Sequence, residues 1–287
     1  MNKILRIGGV PEHFNLPWKQ ALADDAFSPT GVDVQYVDCP AGTGQMTSAL
    51  RSNELDAALV LTEGAVADIV ANDSNRLVKV YVDSPLIWGI HVSTNGDITD
   101  IDAIKGKRIA ISRYGSGSHL IAIVDAAARG WPSDDLSFVV VNDLPGARAA
   151  LAAGDAEVFL WERFTTQALV DSGEFRRIGQ REVPWPAFCV SVRREYLASA
   201  GAELRGILDI VAGYAAKLKA GKDSARLIAD TYDIPFEDAS RWLQSVQWNN
   251  DYRRPDTALQ RVAAALEAQA VIPPALFNPD NIWASIA

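Results

Sequence analysis

The sequence predicts an α/β protein built from mainly parallel sheets flanked by helices. Short apolar segments alternate with helical periodicity over residues 4–160, which is the pattern of consecutive βα units. Segment 56–61 (DAALVL) is almost uniformly apolar, as is typical of a strand buried on both faces of a parallel sheet. From about Ser199 onwards only helical patterns remain. These features predict two α/β units followed by a helical C-terminal segment.

The first α/β unit starts within a few residues of the N-terminus. Its strands are short and aliphatic, and its helices follow turns that contain glycine or polar residues. The predicted strands are residues 4–8, 33–37, 56–61 and 77–82, and the predicted helices are residues 18–25, 43–50 and 64–71.

The second unit begins near Thr99 and has a similar layout. Segments 50–60 (LRSNELDAALV) and 151–160 (LAAGDAEVFL) both place a turn before a buried strand. This similarity indicates two related lobes, although consecutive βα units produce the same order without any such relationship. The predicted elements are a segment at 101–105, strands at 108–112, 136–141 and 157–160, and helices from His119 and at 143–153. The C-terminal helices are predicted at 204–219, 224–232, 236–244 and 256–269, where Pro273 and Pro274 follow.

Composition excludes several classes of function. The 287 residues carry a net charge of −9, so there is no basic patch for nucleic acid or for an anionic membrane. No apolar stretch approaches the roughly 18 residues that a transmembrane helix requires. The three histidines and two cysteines lack the spacing of metal ligands, so we expect no metal and no cofactor. We expect Cys39 and Cys189 to be reduced and buried.

The N-terminus bears on localisation. The predicted strand begins at Ile4, which leaves no room for a secretory leader. We therefore expect a cytoplasmic protein, or a periplasmic one if a leader is missing from the sequence.

Segment 106–119 (GKRIAISRYGSGSH) joins a strand to a helix through glycines and serines. Glycine allows a tight turn and a close approach to a ligand, and Ser116 or Ser118 can cap the helix. The free N–H groups of a helix N-terminus attract polar or anionic groups. The turn is therefore either a ligand cradle, which we favour, or an ordinary capped βα turn.

Four segments in sequence order resemble the type 2 periplasmic-binding-protein fold. They are Ile4–Pro11, Gly42–Met46, Leu59–Gly64 and Gly106–His119. More narrowly, the order is similar to the branch that contains alkanesulfonate-binding and thiamine-pyrimidine-precursor-binding proteins. The similarity extends over nearly the whole chain.

This resemblance implies two lobes joined by two crossover strands, with a small ligand in the cleft and closure by hinge motion. Residues 1–90 and 188–287 would form lobe 1, and residues 91–187 lobe 2. It also implies a monomer that delivers its ligand to an ABC permease.

Candidate ligand-binding residues follow the strands of both predicted lobes, because ligands bind at the carboxyl ends of parallel strands. Some of them have ordinary alternatives: His13 as a loop residue facing water, Thr43 as a helix cap, Glu63 as a surface acid, and the tryptophans as packing residues. The candidates are Glu12, His13, Phe14, Thr43, Gly44, Thr62 and Glu63 in lobe 1, Ser116, Gly117, Ser118, His119, Trp161 and Glu162 in lobe 2, and Trp88 and Trp185 near the crossovers.

We predict a non-catalytic protein that binds a small anionic or heteroaromatic metabolite. The sequence has no nucleophile elbow, no P-loop and no close Cys–His grouping, so we assign no catalytic residue. One alternative is an enzyme similar to thiamine pyrimidine synthases, although the cysteine-rich run of that family is absent. Others are a cytoplasmic sensor or carrier, and a regulatory domain, for which no DNA-binding extension is present.

Overall fold

A computed structural model describes residues 3–286 and contains two five-stranded sheets. The strands are β1 (Lys3–Gly9), β2 (Val32–Asp38), β3 (Ala57–Leu61), β4 (Asn75–Val82), β5 (Ile87–Ser93), β6 (Arg108–Ile111), β7 (Ser137–Val140), β8 (Val158–Glu162), β9 (Phe175–Glu182) and β10 (Phe188–Arg193). The α-helices are α1 (Leu16–Ala23), α2 (Thr43–Arg51), α3 (Thr62–Asn72), α4 (Gly117–Ala128), α5 (Leu144–Ala153), α6 (Gln167–Asp171), α7 (Arg194–Ala220), α8 (Ser224–Tyr232), α9 (Phe236–Ser245), α10 (Asp256–Ala268) and α11 (Pro279–Ile282).

The two sheets share one topology. The first has the order β2-β1-β3-β10-β4 and the second has the order β7-β6-β8-β5-β9. In each sheet three neighbouring strands are parallel, and the fourth is antiparallel to both of its neighbours. In each sheet the antiparallel strand directly follows a passage of the chain between the sheets. β5 is the first strand after the chain enters the second sheet, and β10 is the first strand after it returns to the first sheet. This is the predicted α/β architecture with two mainly parallel sheets.

Two short segments connect the sheets. Residues 83–86 lead from β4 to β5, and residues 183–187 lead from β9 back to β10. The two segments are hydrogen-bonded to each other, since Ala187 N donates to Ser84 O at 3.3 Å. The sheets therefore join at one narrow place, where the chain crosses twice.

The main hydrophobic core includes residues of both sheets. All five residues of β3 are buried, which explains its uniformly apolar sequence. A second, smaller cluster of buried apolar side chains lies in the second lobe around Ala110, Phe159 and Phe175. The C-terminal helices cover the first sheet: α7 packs on α1, and α10 packs on α3. No helix within residues 3–286 is both long enough and apolar enough to span a membrane.

The helices and strands agree with the prediction in kind for most segments. The predicted helix at 224–232 is α8, and those at 236–244 and 256–269 end within one residue of α9 and α10. Helix α7 begins ten residues earlier than predicted, because it includes a non-helical kink at Ala200 that joins two helical parts. Strand β9 was not predicted, because its sequence FRRIGQRE is rich in charged residues and has no regular apolar alternation, as suits a strand at the edge of the sheet. The second sheet begins at Ile87, within the stretch that the sequence analysis assigned to lobe 1.

Candidate ligand-binding cleft

The candidate site is a cleft between the two sheets, at the carboxyl ends of their parallel strands. It encloses about 420 Å³ of space that protein atoms do not occupy, part of it open to solvent. Residues that follow or end β1, β2, β3, β6 and β8 all contribute to it. The lining consists of Val10, Glu12, Ala41, Gly42, Thr43, Leu61, Leu86, Trp88, Ser112, Ser116, Gly117, Ser118, Trp161, Glu162 and Phe188.

The glycine-serine turn before α4 forms one wall of the cleft. Gly115 has a φ of +77°, which glycine adopts without strain. Ser116 is the N-cap of α4, because its Oγ accepts from the N–H of His119. Ser118 Oγ accepts from the N–H of Ser112 at 3.0 Å and lies 3.1 Å from Ser116 Oγ. The serines therefore order the turn and also border the cavity.

The N-terminus of α2 faces the same cavity from the other lobe. Gly42 precedes it with a φ of +75°. Thr43 is buried and its Oγ1 accepts from the N–H of Leu61 at 3.0 Å, so the hydroxyl ties α2 to the end of β3. Thr43 is the first residue of the helix rather than its cap.

Gly117 allows the two lobes to meet. A Cβ at this position would lie 2.2 Å from Leu61 Cδ1 of the first lobe and 2.8 Å from Trp88 Cη2. Because real Cβ atoms do not approach other atoms this closely, a larger residue requires the Leu61 and Trp88 side chains to shift or the lobes to move apart. Arg113 makes a similar contact at Gly44, where an added Cβ would lie 2.8 Å from Arg113 Cδ. The lobes are thus in contact across the cleft.

Two carboxylates, Glu12 and Glu162, face the cavity. Glu162 is 4% exposed, and its Oε2 accepts from the N–H of Thr165 at 2.6 Å and from Thr165 Oγ1 at 2.8 Å. Glu12 is half-buried. Burial raises the pKa of Glu162. Burial and the nearby Glu162 raise the pKa of Glu12 to about 8, although the indole N–H of Trp161 lowers it in part.

Two tryptophans contribute flat apolar surface to the lining. Trp161 stacks on Phe159 with ring centroids 5.3 Å apart and an interplanar angle of 22°. Trp88 is buried, and its Nε1 has no hydrogen-bond partner among the described residues. Indole faces favour planar and cationic groups.

A buried network behind the cleft fixes the turn that follows Glu162 at the end of β8. His91 Nε2 lies 3.0 Å from Thr166 Oγ1 and accepts from Arg177 Nε at 3.3 Å. Since Nε2 accepts, the proton is on Nδ1, which donates to Phe159 O at 3.3 Å. Burial and Arg177 lower the pKa of His91 to about 3, so the ring is neutral.

The structure does not bring His13 and Phe14 to the cavity. A short 3-10 turn, His13–Asn15, follows Glu12 and directs both side chains into the protein. His13 packs edge-on against Trp242 with ring centroids 4.2 Å apart, and burial lowers its pKa to about 3. Neither the expected ligand contact nor the alternative of a loop histidine facing water describes this environment.

Thr62, Glu63 and Trp185 also lie outside the lining. They connect α3 to the crossover at 183–187 instead. Thr62 Oγ1 donates to Pro186 O at 2.6 Å, and Trp185 Nε1 donates to Glu63 Oε2 at 2.9 Å. Glu63 is buried rather than a surface acid, and burial raises its pKa to about 7.

Two further candidates lie beside the cleft but not in its wall. His119 turns back toward its own turn, where Nδ1 accepts from the N–H of Gly115 at 3.1 Å and the ring packs against Phe138. Gly44 is one residue beyond the lining and contacts Arg113. Eight candidates line the cavity: Glu12, Thr43, Trp88, Ser116, Gly117, Ser118, Trp161 and Glu162.

Sequence reasoning missed several lining residues. Ser112 directly follows β6 and Gly42 precedes α2, so both lie within the segments 106–119 and 42–46 that were singled out, although neither was named as a candidate. Leu86 lies in the first crossover and Phe188 begins β10 directly after the second, and no local pattern marks an aliphatic or aromatic residue there as a cleft residue. Cys39 and Cys189 are free and buried, as expected.

The architecture and the cleft define a two-lobed type 2 periplasmic-binding-protein fold. The comparisons with known proteins agree with this class and with the predicted branch. A family model described as Ca3427-like PBP matches residues 88–181. No curated protein matches the chain.

Several solved structures are similar over nearly the whole chain. The Candida albicans CA3427 gene product, described as defining a new family with the generic periplasmic-binding-protein fold, has a TM-score of 0.86 and 28% identity over 95% of this chain and 92% of its own. The alkanesulfonate-binding protein SsuA from Xanthomonas axonopodis pv. citri, bound to MOPS, has a TM-score of 0.83 and 21% identity over 98% of both chains. The aliphatic sulphonate-binding protein SsuA from Escherichia coli has a TM-score of 0.72 and 19% identity over 99% of this chain and 98% of its own.

Proposed function

We propose that this protein binds a small polar solute, without catalysis, in the cleft between its two lobes. The observation that carries the proposal is that strand ends and helix N-termini of both sheets line one cavity. The similar structures named as sulfonate-binding proteins support a solute-binding role.

The cavity lining favours binding over chemistry. Its only hydroxyls belong to Thr43 and three serines, and within the described part of the chain no histidine or cysteine lines it. Ser116 Oγ donates to Arg113 O at 2.6 Å, so this hydroxyl serves the turn. A serine nucleophile needs an adjacent base, and no such base is present at these serines.

We further propose that the lobes open and close about the two crossovers. These segments are short and contact each other, so a rotation there moves one sheet relative to the other as a rigid body. Gly117 and Trp88 would move away from Leu61 on opening and would meet it again around a solute.

A first experiment identifies the solute. The protein is screened by thermal shift against sulfonates, carboxylates, pyrimidines and polyamines, because a bound solute raises the melting temperature. Small-angle scattering with each hit then measures closure. A stabilising solute that leaves the scattering unchanged would contradict the hinge proposal, and the absence of any binder in a broader metabolite library would contradict the binding proposal.

A second experiment blocks closure with Gly117→Ala. We expect a larger radius of gyration and affinity at least tenfold lower for the screened solute, since the new Cβ collides with Leu61 across the cleft. The matched control is Gly213→Ala in α7, where an added Cβ has no neighbour within 4 Å. Equal affinity in the two variants would contradict the proposed closed state.

Delivery of the solute to a membrane permease is part of the same proposal. It is supported by the resemblance to transporter-associated binding proteins and is tested by cross-linking the protein in membranes of its source cells. Solute-dependent capture of a permease is the expected result, and capture of soluble proteins alone would favour a carrier or sensor.

A further inference from the structure

The ionisable side chains that line the cleft are all acidic. Of the fifteen lining residues, only Glu12 and Glu162 are ionisable, and both are acidic. Neither makes a salt bridge with any of the described residues. Two cationic side chains lie beside the cleft but outside its lining: Arg177 is behind Glu162, and Arg113 extends across to Gly44.

Building on the proposed binding function, we infer that the solute carries a positive charge on a flat group, held against the carboxylates of Glu12 and Glu162. The class comprises amidinium, guanidinium and protonated amino-heteroaromatic groups. This differs from the anions named for the similar sulfonate-binding proteins.

The carboxylate of Glu162 is prepared for an external donor. The Glu162 carboxylate accepts from the backbone N–H of Thr165, from Thr165 Oγ1 and from the backbone N–H of Phe164, which leaves part of its acceptor capacity free. A buried, incompletely paired carboxylate is costly unless a cation or donor reaches it. Since Glu162 lines the cavity, a further donor can reach its carboxylate through the cleft.

The tryptophans favour a planar shape for the charged group. Trp161 adjoins both acids, since it precedes Glu162 in β8 and its indole N–H is close to Glu12. Trp88 lies opposite Glu162 in the β5–β8 pairing. A flat cation can therefore contact indole surface and carboxylate at once, which a spherical ammonium does less well.

The helix N-termini favour an acceptor at the other end of the solute. The N–H groups of Gly117 and Ser118 at the start of α4 have no acceptor within residues 3–286. A helix N-terminus contributes about half a unit charge, whereas each ionised carboxylate contributes a full one. A hydroxyl, carbonyl or carboxylate is compatible with the helix ends, but a solute that is only anionic would oppose the negative charge that the two acids share, which increases as the pair loses its proton at higher pH.

Cation binding should also be coupled to proton release. Glu12 faces Glu162 on β8 and Tyr232 on α8, and Glu162 faces Arg177 on β9. Because the pKa of Glu12 is raised to about 8, the empty pair retains a proton near neutral pH. An incoming cation favours the fully ionised pair, so affinity should rise as the pH increases from 6 to 9.

The test compares probes of similar shape and different charge. Isothermal titration calorimetry at pH 6, 7.5 and 9 measures benzamidinium, benzamide and benzenesulfonate, together with methylguanidinium as a smaller cation. We expect at least one cation to bind tenfold or more tightly than benzamide, with proton release, and we expect no binding of benzenesulfonate.

Matched variants assign the effect to the acids. Glu12→Gln and Glu162→Gln keep the shape and remove the charge, and each should weaken cation binding at least tenfold. The control is Glu237→Gln, an exposed acid at the start of α9, which should leave binding unchanged. Circular dichroism confirms that each variant is folded.

The outcomes separate this inference from the proposed function. Binding of benzenesulfonate or benzamide in preference to both cations, or cation binding that neither substitution changes, would overturn the inference. If a neutral or anionic solute binds with Gly117-dependent closure, the binding function stands and the charge assignment is wrong. If no probe and no library solute binds, both are overturned.

Discussion

At the scale of single residues, Glu63 is a buried acid outside the cleft. Its Oε2 accepts from the Trp185 indole, and its Oε1 is buried without a partner among the described residues. Burial therefore disfavours the charged form, which is why the pKa is raised to about 7. A raised carboxyl pKa means that the folded state binds the proton more tightly than the unfolded state, so stability declines as the pH rises from about 4.5 to 7.

Glu63→Gln should therefore stabilise the protein in a pH-dependent way. The amide oxygen can still accept from Trp185, and the buried charge is absent. We expect a gain on the order of 2–3 kcal/mol at pH 8 that largely disappears at pH 4.5, where Glu63 is protonated. Urea unfolding at the two pH values measures the difference, and Glu237→Gln is the control. An equal gain at both pH values would mean that ionisation of Glu63 is not responsible.

At the scale of secondary-structure elements, Asp56 joins three strands of the first sheet. It precedes β3, and its carboxylate accepts from Arg6 of β1 and from Arg193 at the end of β10. Asp56 is 3% exposed. The two arginines and the backbone N–H of Arg6 outweigh the cost of burial and keep the pKa of Asp56 below its usual value. Its contribution is therefore lost as the pH falls through that lowered value.

Asp56→Asn should destabilise the protein by about 3–5 kcal/mol, because two part-buried guanidinium groups lose their counter-charge. The loss should be largest near pH 7 and smaller in acid. Thermal unfolding measures it, with Asp251→Asn as the control, since the Asp251–Arg253 pair is exposed and should contribute less than about 1 kcal/mol. Equal effects of the two substitutions would show that Asp56 does not hold the strands together.

At the scale of the whole molecule, the sequence was sufficient for the class of fold but not for the assignment of every strand. Buried parallel strands such as β3 have an unmistakable apolar pattern. The position at which the chain changes sheet, between Val82 and Ile87, has no such signal, because residues on both sides belong to similar buried strands. β10 could not be placed between β3 and β4 by local pattern either, since that pairing joins residues more than 100 positions apart.

The residues of the cleft could be predicted where one rule applies, namely that ligand-binding residues lie at the carboxyl ends of parallel strands. Glu12, Trp161 and Glu162 follow that rule and line the cavity. The rule does not specify the direction of a side chain, so His13 was placed beside Glu12 although a single turn directs it toward Trp242. Leu86 in the first crossover and Phe188 directly after the second also line the cavity, and their position there depends on how the chain passes between the two sheets.

Strand β10 comes last in the sequence but lies between β3 and β4 in the first sheet, and this also sets an order of assembly during synthesis. The second sheet is contiguous in sequence, from Ile87 to Glu182, so all of its strands are translated, and leave the ribosome, before β10 does. The first sheet has to wait for residues 188–193, because without them β3 and β4 have no strand between them. On the ribosome, the lobe that is second in the sequence is therefore able to complete its sheet first, while the N-terminal strands wait with unpaired edges that nascent-chain chaperones would recognise.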